Sequence, residues 1–170
     1  MADIPKNEAR TVKNSQVEMT EVVLPQYANV LGTVFGGQIM SWIDICAAVS
    51  AQRHSRCPVV TASFDSVHFI EPIKQGQVVI LKGQVNAVFK SSMEVGVIVF
   101  AESPLTGERR KAVRAYCTFV ALDTFGNPKG IPDLAIDGEE EKRRFLEATE
   151  RRRIRLLHRK IEVKHVHKNG

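Results

Sequence analysis

Cysteine is scarce in this chain and poorly placed for cross-linking. The three residues, Cys46, Cys57 and Cys117, are odd in number and far apart, which suggests neither a disulfide framework nor a zinc knuckle and leaves plain thiols. No apolar run approaches the length that a bilayer-crossing helix needs. The amino terminus, MADIPKNEARTVKNSQ, is polar and lacks the apolar segment of a secretory signal, so a cytoplasmic protein without membrane insertion is expected. Three common signatures are missing as well: a glycine-rich phosphate loop ending in Lys-Ser/Thr, a G-x-G-x-x-G opening a helix after a strand, and a G-x-S-x-G nucleophile elbow. His54, His68 and His158 are scattered, and His165 and His167 lie in a lysine-rich tail without partner ligands, so no metal site is expected. Neither an internal repeat nor a low-complexity tract is visible.

What is present is material for one ordinary domain: 170 residues, 44% of them apolar. The net charge of +5 favours an anionic partner, whether nucleic acid, membrane surface or a small phosphorylated ligand. A first strand is read at Val17 to Leu24, after a flexible amino-terminal tail over 1–15. Apolar residues then cover nearly every face from Gly37 to about Arg53, which predicts a helix enclosed by the fold on all sides. After Pro58 the pattern turns to strands at 59–70, 77–89, 92–103 and 109–122, with turn residues between them that suit an antiparallel meander. Long strands with one buried helix make an α+β layer fold. Glycine and proline in DTFGNPKGIPD end the domain body near Pro132, giving a single domain over 16–132, a basic helical segment over 133–163 and a disordered tail over 164–170.

That carboxy-terminal segment starts acidic and ends basic, as the helix dipole prefers. Its run Arg151 to Arg153, with Arg155, Arg159 and Lys160, raises a nucleic-acid reading. Interleaved acids and the lack of a stacking aromatic beside the run count against it, so a solvated or phosphate-facing helix is expected and no nucleic-acid partner.

Chemistry concentrates in NVLGTVFGGQIMSWID, residues 29–44. Gly36 and Gly37 precede the helix, whose first N–H groups carry the positive end of the dipole and suit a thioester or ester oxygen as it becomes an oxyanion. Asp44 lies two turns on. A carboxylate among apolar neighbours is costly unless paired, and desolvation makes it a better base, able to activate water or to attack directly. Asn29 adds an amide that can orient the water or the carbonyl. The residues also allow a structural reading, with Gly-Gly serving close helix packing and Asp44 bonded to backbone.

Five blocks, ANVLGTVFGGQIMSWID (28–44), VVTASFDSVHFIEPIKQG (59–76), KSSMEVGVIV (90–99), TFVALDTFGNP (118–128) and EEEKRRF (139–145), resemble in order and spacing the hotdog-fold acyl-CoA thioesterases, specifically the cytosolic acyl-CoA hydrolase group. The resemblance implies a long antiparallel sheet wrapped around one central helix, and hydrolysis of acyl-CoA to a fatty acid and coenzyme A. It implies Asp44 as the catalytic carboxylate, Asn29 as the catalytic asparagine acting from the opposite subunit, and Gly36 and Gly37 facing the thioester carbonyl. Phe35 stands where many relatives carry histidine. By the same resemblance the pantetheine arm lies along Val60, Thr61 and Ala62, and Lys90, Ser91 and Ser92 form a turn suited to the coenzyme A phosphates. A homodimer with shared sites, assembled into a trimer of dimers, is implied, and no cofactor beyond the coenzyme A of the substrate. Asp65, in SFDSVHF, is read as a structural residue bonded to neighbouring backbone.

Two rivals are weighed. A non-catalytic acyl-CoA sensor would want a DNA-binding module, for which the residues ahead of the first strand are too few. A hotdog hydratase would want an Asp/His pair near the start of the buried helix, and that pair is not apparent.

Overall fold

The computed structural model describes residues 8–166, with side chains as far as Arg159. In chain order the elements are β1 (Arg10–Thr11), a 3-10 turn (Val12–Ser15), β2 (Val17–Val22), a second 3-10 turn (Pro25–Tyr27), α1 (Gly36–Ser55), β3 (Val59–Phe69), β4 (Val78–Val88), β5 (Ser92–Glu102), β6 (Arg109–Ala121), β7 (Leu134–Ala135) and α2 (Glu139–Val166). Five strands form one antiparallel sheet in the order β2-β4-β5-β6-β3. The expected α+β layer fold is present, but the expected meander holds only from β4 to β6. β3 crosses over to pair with β6 and becomes an edge strand.

The inner face of the sheet receives α1. Val79, Leu81, Val95, Val97, Cys117 and Phe119 are buried against Ile39, Trp42, Ile43, Cys46 and Ala47. Gly83 permits the close approach, since a Cβ there would stand 3.0 Å from the Cys46 sulfur. Burial pushes the Cys46 and Cys117 thiols up to about 11 and about 12, so both are inert core residues. Arg56, in the left-handed region at φ 54°, closes α1 before Cys57 and Pro58.

The expectation that α1 is enclosed on every side does not hold within one chain. Met40 and Ile45 are 37% and 51% exposed, on the side turned away from the sheet. One sheet covers one helix face, and the second apolar face is left without a partner among the described residues.

The expected flexible tail over 1–15 is ordered in its second half. Val12 and Ser15 are buried, the Ser15 hydroxyl accepts the Val85 N–H at 3.0 Å, and β1 pairs with β7 in parallel. Residues 133–135 thus belong to that pairing, and the helix of the basic segment begins at Glu139. The disordered tail expected over 164–170 overlaps α2 as far as Val166; residues 1–7 and 167–170 lie outside the described residues.

His54 ties these pieces together. Fully buried in the last turn of α1, its Nε2 is 2.9 Å from the Pro132 carbonyl, and its own carbonyl accepts from Arg10. Burial pushes its pKa below the ordinary 6.5, outweighing the Pro132 bond that favours the charged form. The unfolded chain therefore binds a proton below about pH 6.5 that the folded chain refuses. Stability from this group is present above that pH and is lost as pH falls towards the folded value. Urea unfolding at pH 7.5 and 5.5 is expected to show a loss at the lower pH that shrinks in His54→Gln; equal losses in both proteins would refute this.

Candidate active site

α1 and the loop before it carry most of the candidate site. After the Pro25–Tyr27 turn the chain folds into a tight loop closed by the Ala28 and Val34 bridge, with Gly32 at φ +68°. Asn29 organises this loop: its Oδ1 accepts the Leu31 N–H at 2.9 Å, the Thr33 N–H at 3.2 Å and the Thr33 hydroxyl at 3.2 Å. The amide oxygen is thereby committed, and the Nδ2 donors are what Asn29 has left to offer a ligand.

Phe35, the N-cap of α1, supplies no side-chain cap, and the Gly36 and Gly37 N–H groups make no hydrogen bond among the described residues. Among the described residues a Cβ built on Gly37 meets nothing within 4 Å, and one on Gly36 meets only the Phe69 ring at 3.4 Å. Neither glycine has positive φ. Packing and backbone geometry within the chain thus give no reason for the pair, contrary to the close-packing alternative. Bare backbone N–H groups at a helix start are ready for an anionic oxygen. Beside them opens an apolar cleft of about 320 Å³ lined by Gly36, Ile39, Phe69, Ile73 and Val113.

Asp44 is half-buried on α1, and its partner is a side chain: the Thr61 hydroxyl donates to Oδ1 at 2.7 Å. Val60, Thr61 and Ala62 lie exposed on the edge strand β3. Sequence reasoning placed Thr61 only along the pantetheine arm and missed this bond. A register shift between Thr61 and Ser63, and another between Phe64 and Ser66, interrupt the alternation of β3. In a regular strand residues 61 and 65 would share a face. Here Thr61 reaches α1, while Asp65 accepts from Ser63 at 2.7 Å and Thr118 at 2.9 Å and pairs with Arg155 of α2. Asp65 is structural as expected, but its partners are side chains and not backbone.

The Lys90, Ser91 and Ser92 turn joins β4 to β5, with Lys90 exposed. Its carbonyls anchor the end of β6 and the chain beyond it: Ser91 O accepts the Ala121 N–H at 2.9 Å and Lys90 O the Ile131 N–H at 3.4 Å. Among the described residues no hydrogen bond joins this turn to Asp44 or Asn29. The basic run of α2 is not simply solvated. Arg151 makes a two-pronged bond to the buried Glu94, at 2.7 and 2.9 Å, and lies 3.7 Å over the Tyr116 ring.

A family model described as the thioesterase superfamily matches residues 31–108. A Bacillus subtilis protein named as an uncharacterized acyl-CoA thioester hydrolase is 47% identical over 134 residues, 79% of this chain and 78% of the relative. The chain belongs to the acyl-CoA thioester hydrolases of the thioesterase superfamily. Members differ in length: the cytosolic acyl coenzyme A thioester hydrolase of Mus musculus is 34% identical over 82% of this chain, which spans 37% of that protein. The structure of an acyl-CoA hydrolase from Staphylococcus aureus in complex with butyryl coenzyme A superposes at a TM-score of 0.86, with 35% identity over 95% of this chain and 98% of that one. A hexameric acyl-CoA thioesterase superposes at 0.84, with 38% identity over 90% and 97%. This family membership carries the hotdog fold with it, and α1 is its central helix.

Proposed function

We propose that this acyl-CoA hydrolase works with sites shared between two copies, in which Asp44 of one copy faces Asn29, Gly36 and Gly37 of the other. The carrying observation is a separation. Asp44 lies two turns beyond Gly37, roughly 10 Å along the axis at 1.5 Å per residue. A carbonyl seated on the Gly36 and Gly37 N–H groups is out of reach of the same chain's Asp44. The free edge of β3, with Val60 47% exposed, and the uncovered Met40 and Ile45 of α1 offer the surface through which a second copy brings its own Asp44. The hexameric neighbour favours three such dimers in one assembly.

In this reading water attacks the thioester carbon as Asp44 takes its proton, with Thr61 holding Oδ1 so that Oδ2 meets the water. Negative charge on the carbonyl oxygen is met by the Gly36 and Gly37 N–H groups and by Asn29 Nδ2. Collapse breaks the C–S bond, and the proton goes to the departing coenzyme A sulfur. Direct attack by Asp44, through a mixed anhydride that water then opens, uses the same residues. Val60 to Ala62 would carry the pantetheine arm and Lys90 to Ser92 the phosphates. Water is the only co-reactant, so no cofactor is called for. We place the reaction in the cytoplasm, as the name of the mouse relative has it for that protein.

The test is release of free coenzyme A from acetyl-CoA through palmitoyl-CoA. Binding without release at any chain length would favour a sensor. Sharing of sites is tested by mixing Asn29→Ala with Asp44→Ala after reversible dissociation. Half of randomly formed dimers then hold one intact site of two, so activity is expected to return to about one quarter of wild type. No recovery in verified mixed dimers would place the whole site within one chain.

A further inference from the structure

Asp65 is a charge set in a strand whose regular pleat would turn it into the core. At the far end of β3, Phe69 pairs with Val113 and Val67 with Ala115, both buried against α1. Residues paired directly across a sheet share a face, so strict alternation from there would put Asp65 opposite Cys117, inside the apolar core. An unpaired carboxylate is costly in such a place. An extra residue, Asp65 itself, removes the conflict: Phe64 takes the position opposite Cys117, and Ser66 pairs with Tyr116. That shift alone would leave Thr61 opposite Val120, on the face that α2 covers. A second extra residue, Ala62, turns it back: Ser63 pairs with Thr118 and Thr61 with Phe119, on the side of α1, where Thr61 meets Asp44. Both shifts are needed together.

The Asp65 carboxylate joins the two shifts. Its side chain is 6% exposed, and both oxygens are engaged on the outer face. Oδ1 accepts at 2.7 Å from Ser63, the residue just past the Ala62 shift. Oδ2 accepts at 2.9 Å from Thr118, directly opposite Ser63, and pairs with Arg155. With a small apolar residue at 65 nothing keeps that position out of the core, and either way of relaxing displaces Thr61. Loss of one shift turns it to the other face. Loss of both sets it opposite Ala121, about 7 Å along β6 and out of hydrogen-bond reach of Asp44. Resting on the hydrolase reading, we propose that Asp65 is a positioning residue of the reaction: from the opposite face of the sheet it holds the pair of shifts that aims the Thr61 hydroxyl at Asp44.

Measuring kcat and KM for acyl-CoA in Asp65→Ala, made in the wild-type and in the Thr61→Val background, decides the matter. In the wild-type background Asp65→Ala is expected to lower kcat by about ten- to a hundredfold, as a small misplacement at a reacting centre does, with little change in KM. In Thr61→Val the bond to Asp44 is already gone, so the same substitution is expected to change kcat by less than about twofold. Asp65→Asn, too polar for the core and still able to accept from Ser63, should recover most of the loss. A merely structural Asp65 would cost the same factor in kcat in both backgrounds. That equality, or a kcat within about twofold of wild type in Asp65→Ala, would overturn the proposal and leave the hydrolase reading standing. If Asp65→Ala gives no folded protein, Ser63→Ala, which frees one shift from the carboxylate, takes its place with the same two outcomes. Absence of acyl-CoA hydrolysis by wild type would sink the hydrolase reading, and a crystal structure of Asp65→Ala then still decides the placement: Thr61 Oγ out of hydrogen-bond reach of Asp44 supports it, and an intact bond overturns it.

Discussion

Asp44→Asn is expected to lower kcat for acyl-CoA hydrolysis by about 10²–10⁴-fold, the range for losing a positioned acid or base, with a much smaller change in KM. The substitution is close to isosteric, and the amide oxygen can still accept from Thr61, so the link between α1 and β3 survives. In the proposed mechanism, what disappears is the group that takes the proton from water or attacks the carbon. Since Asp44 is only half-buried and the core lies on the other side of α1, thermal stability should barely move. Single-turnover release of coenzyme A measures the effect directly. A fall of only about twofold would remove Asp44 from the reaction.

The second large effect is on stability. Glu94 is 1% exposed, accepts from Asn86 at 3.1 Å and holds Arg151 by two bonds. Glu94→Ala leaves a guanidinium and an amide without their acceptor beneath α2. Breaking a buried pair from one side costs about 3–5 kcal/mol, and the partial exposure of Arg151, at 22%, puts the expectation near the lower end. At fixed protein concentration, about 3 kcal/mol corresponds to a Tm lowered by roughly 6–12 °C in a chain of this size. Replacing both partners, as in Glu94→Leu with Arg151→Met, should restore much of the loss, because neither charge is then stranded. A single-variant Tm within about 2 °C of wild type would mean that this pair does not hold α2 to the sheet.

The two expectations separate the faces of one sheet. The proposed chemistry lies on the side of α1, where the Gly36 and Gly37 N–H groups and Asp44 are turned to the open surface. Anchoring of α2 lies on the other side, where the acids of β3 and β5 meet arginines. The strand β3 serves both faces through its two register shifts. The stretch Thr61 to Asp65 thus carries both the bond to Asp44 and the ion pair to Arg155 of α2.

Strand and helix positions were legible in the sequence alone, because they rest on local signals. The strand read at 92–103 is Ser92–Glu102, and the helix read from Gly37 to Arg53 is Gly36–Ser55. Apolar alternation, Pro58 and the turn glycines act within a few residues of where they stand. Asn29, Gly36, Gly37 and Asp44, the residues of the proposed site, stand out for the same reason, as polar or bare positions set in an apolar run. Only the tertiary structure decided that β3 crosses to the sheet edge, since its pairing partners, from Val59 with Ala121 to Phe69 with Val113, are distant in the sequence. It alone showed that Thr61 bonds Asp44, because the bulges that break alternation leave no mark in composition. And it divided the arginines of α2 into Arg151 and Arg155, neutralised by acids from distant strands, and Arg152 and Arg159, left to face a groove; in sequence all of them read as one basic run.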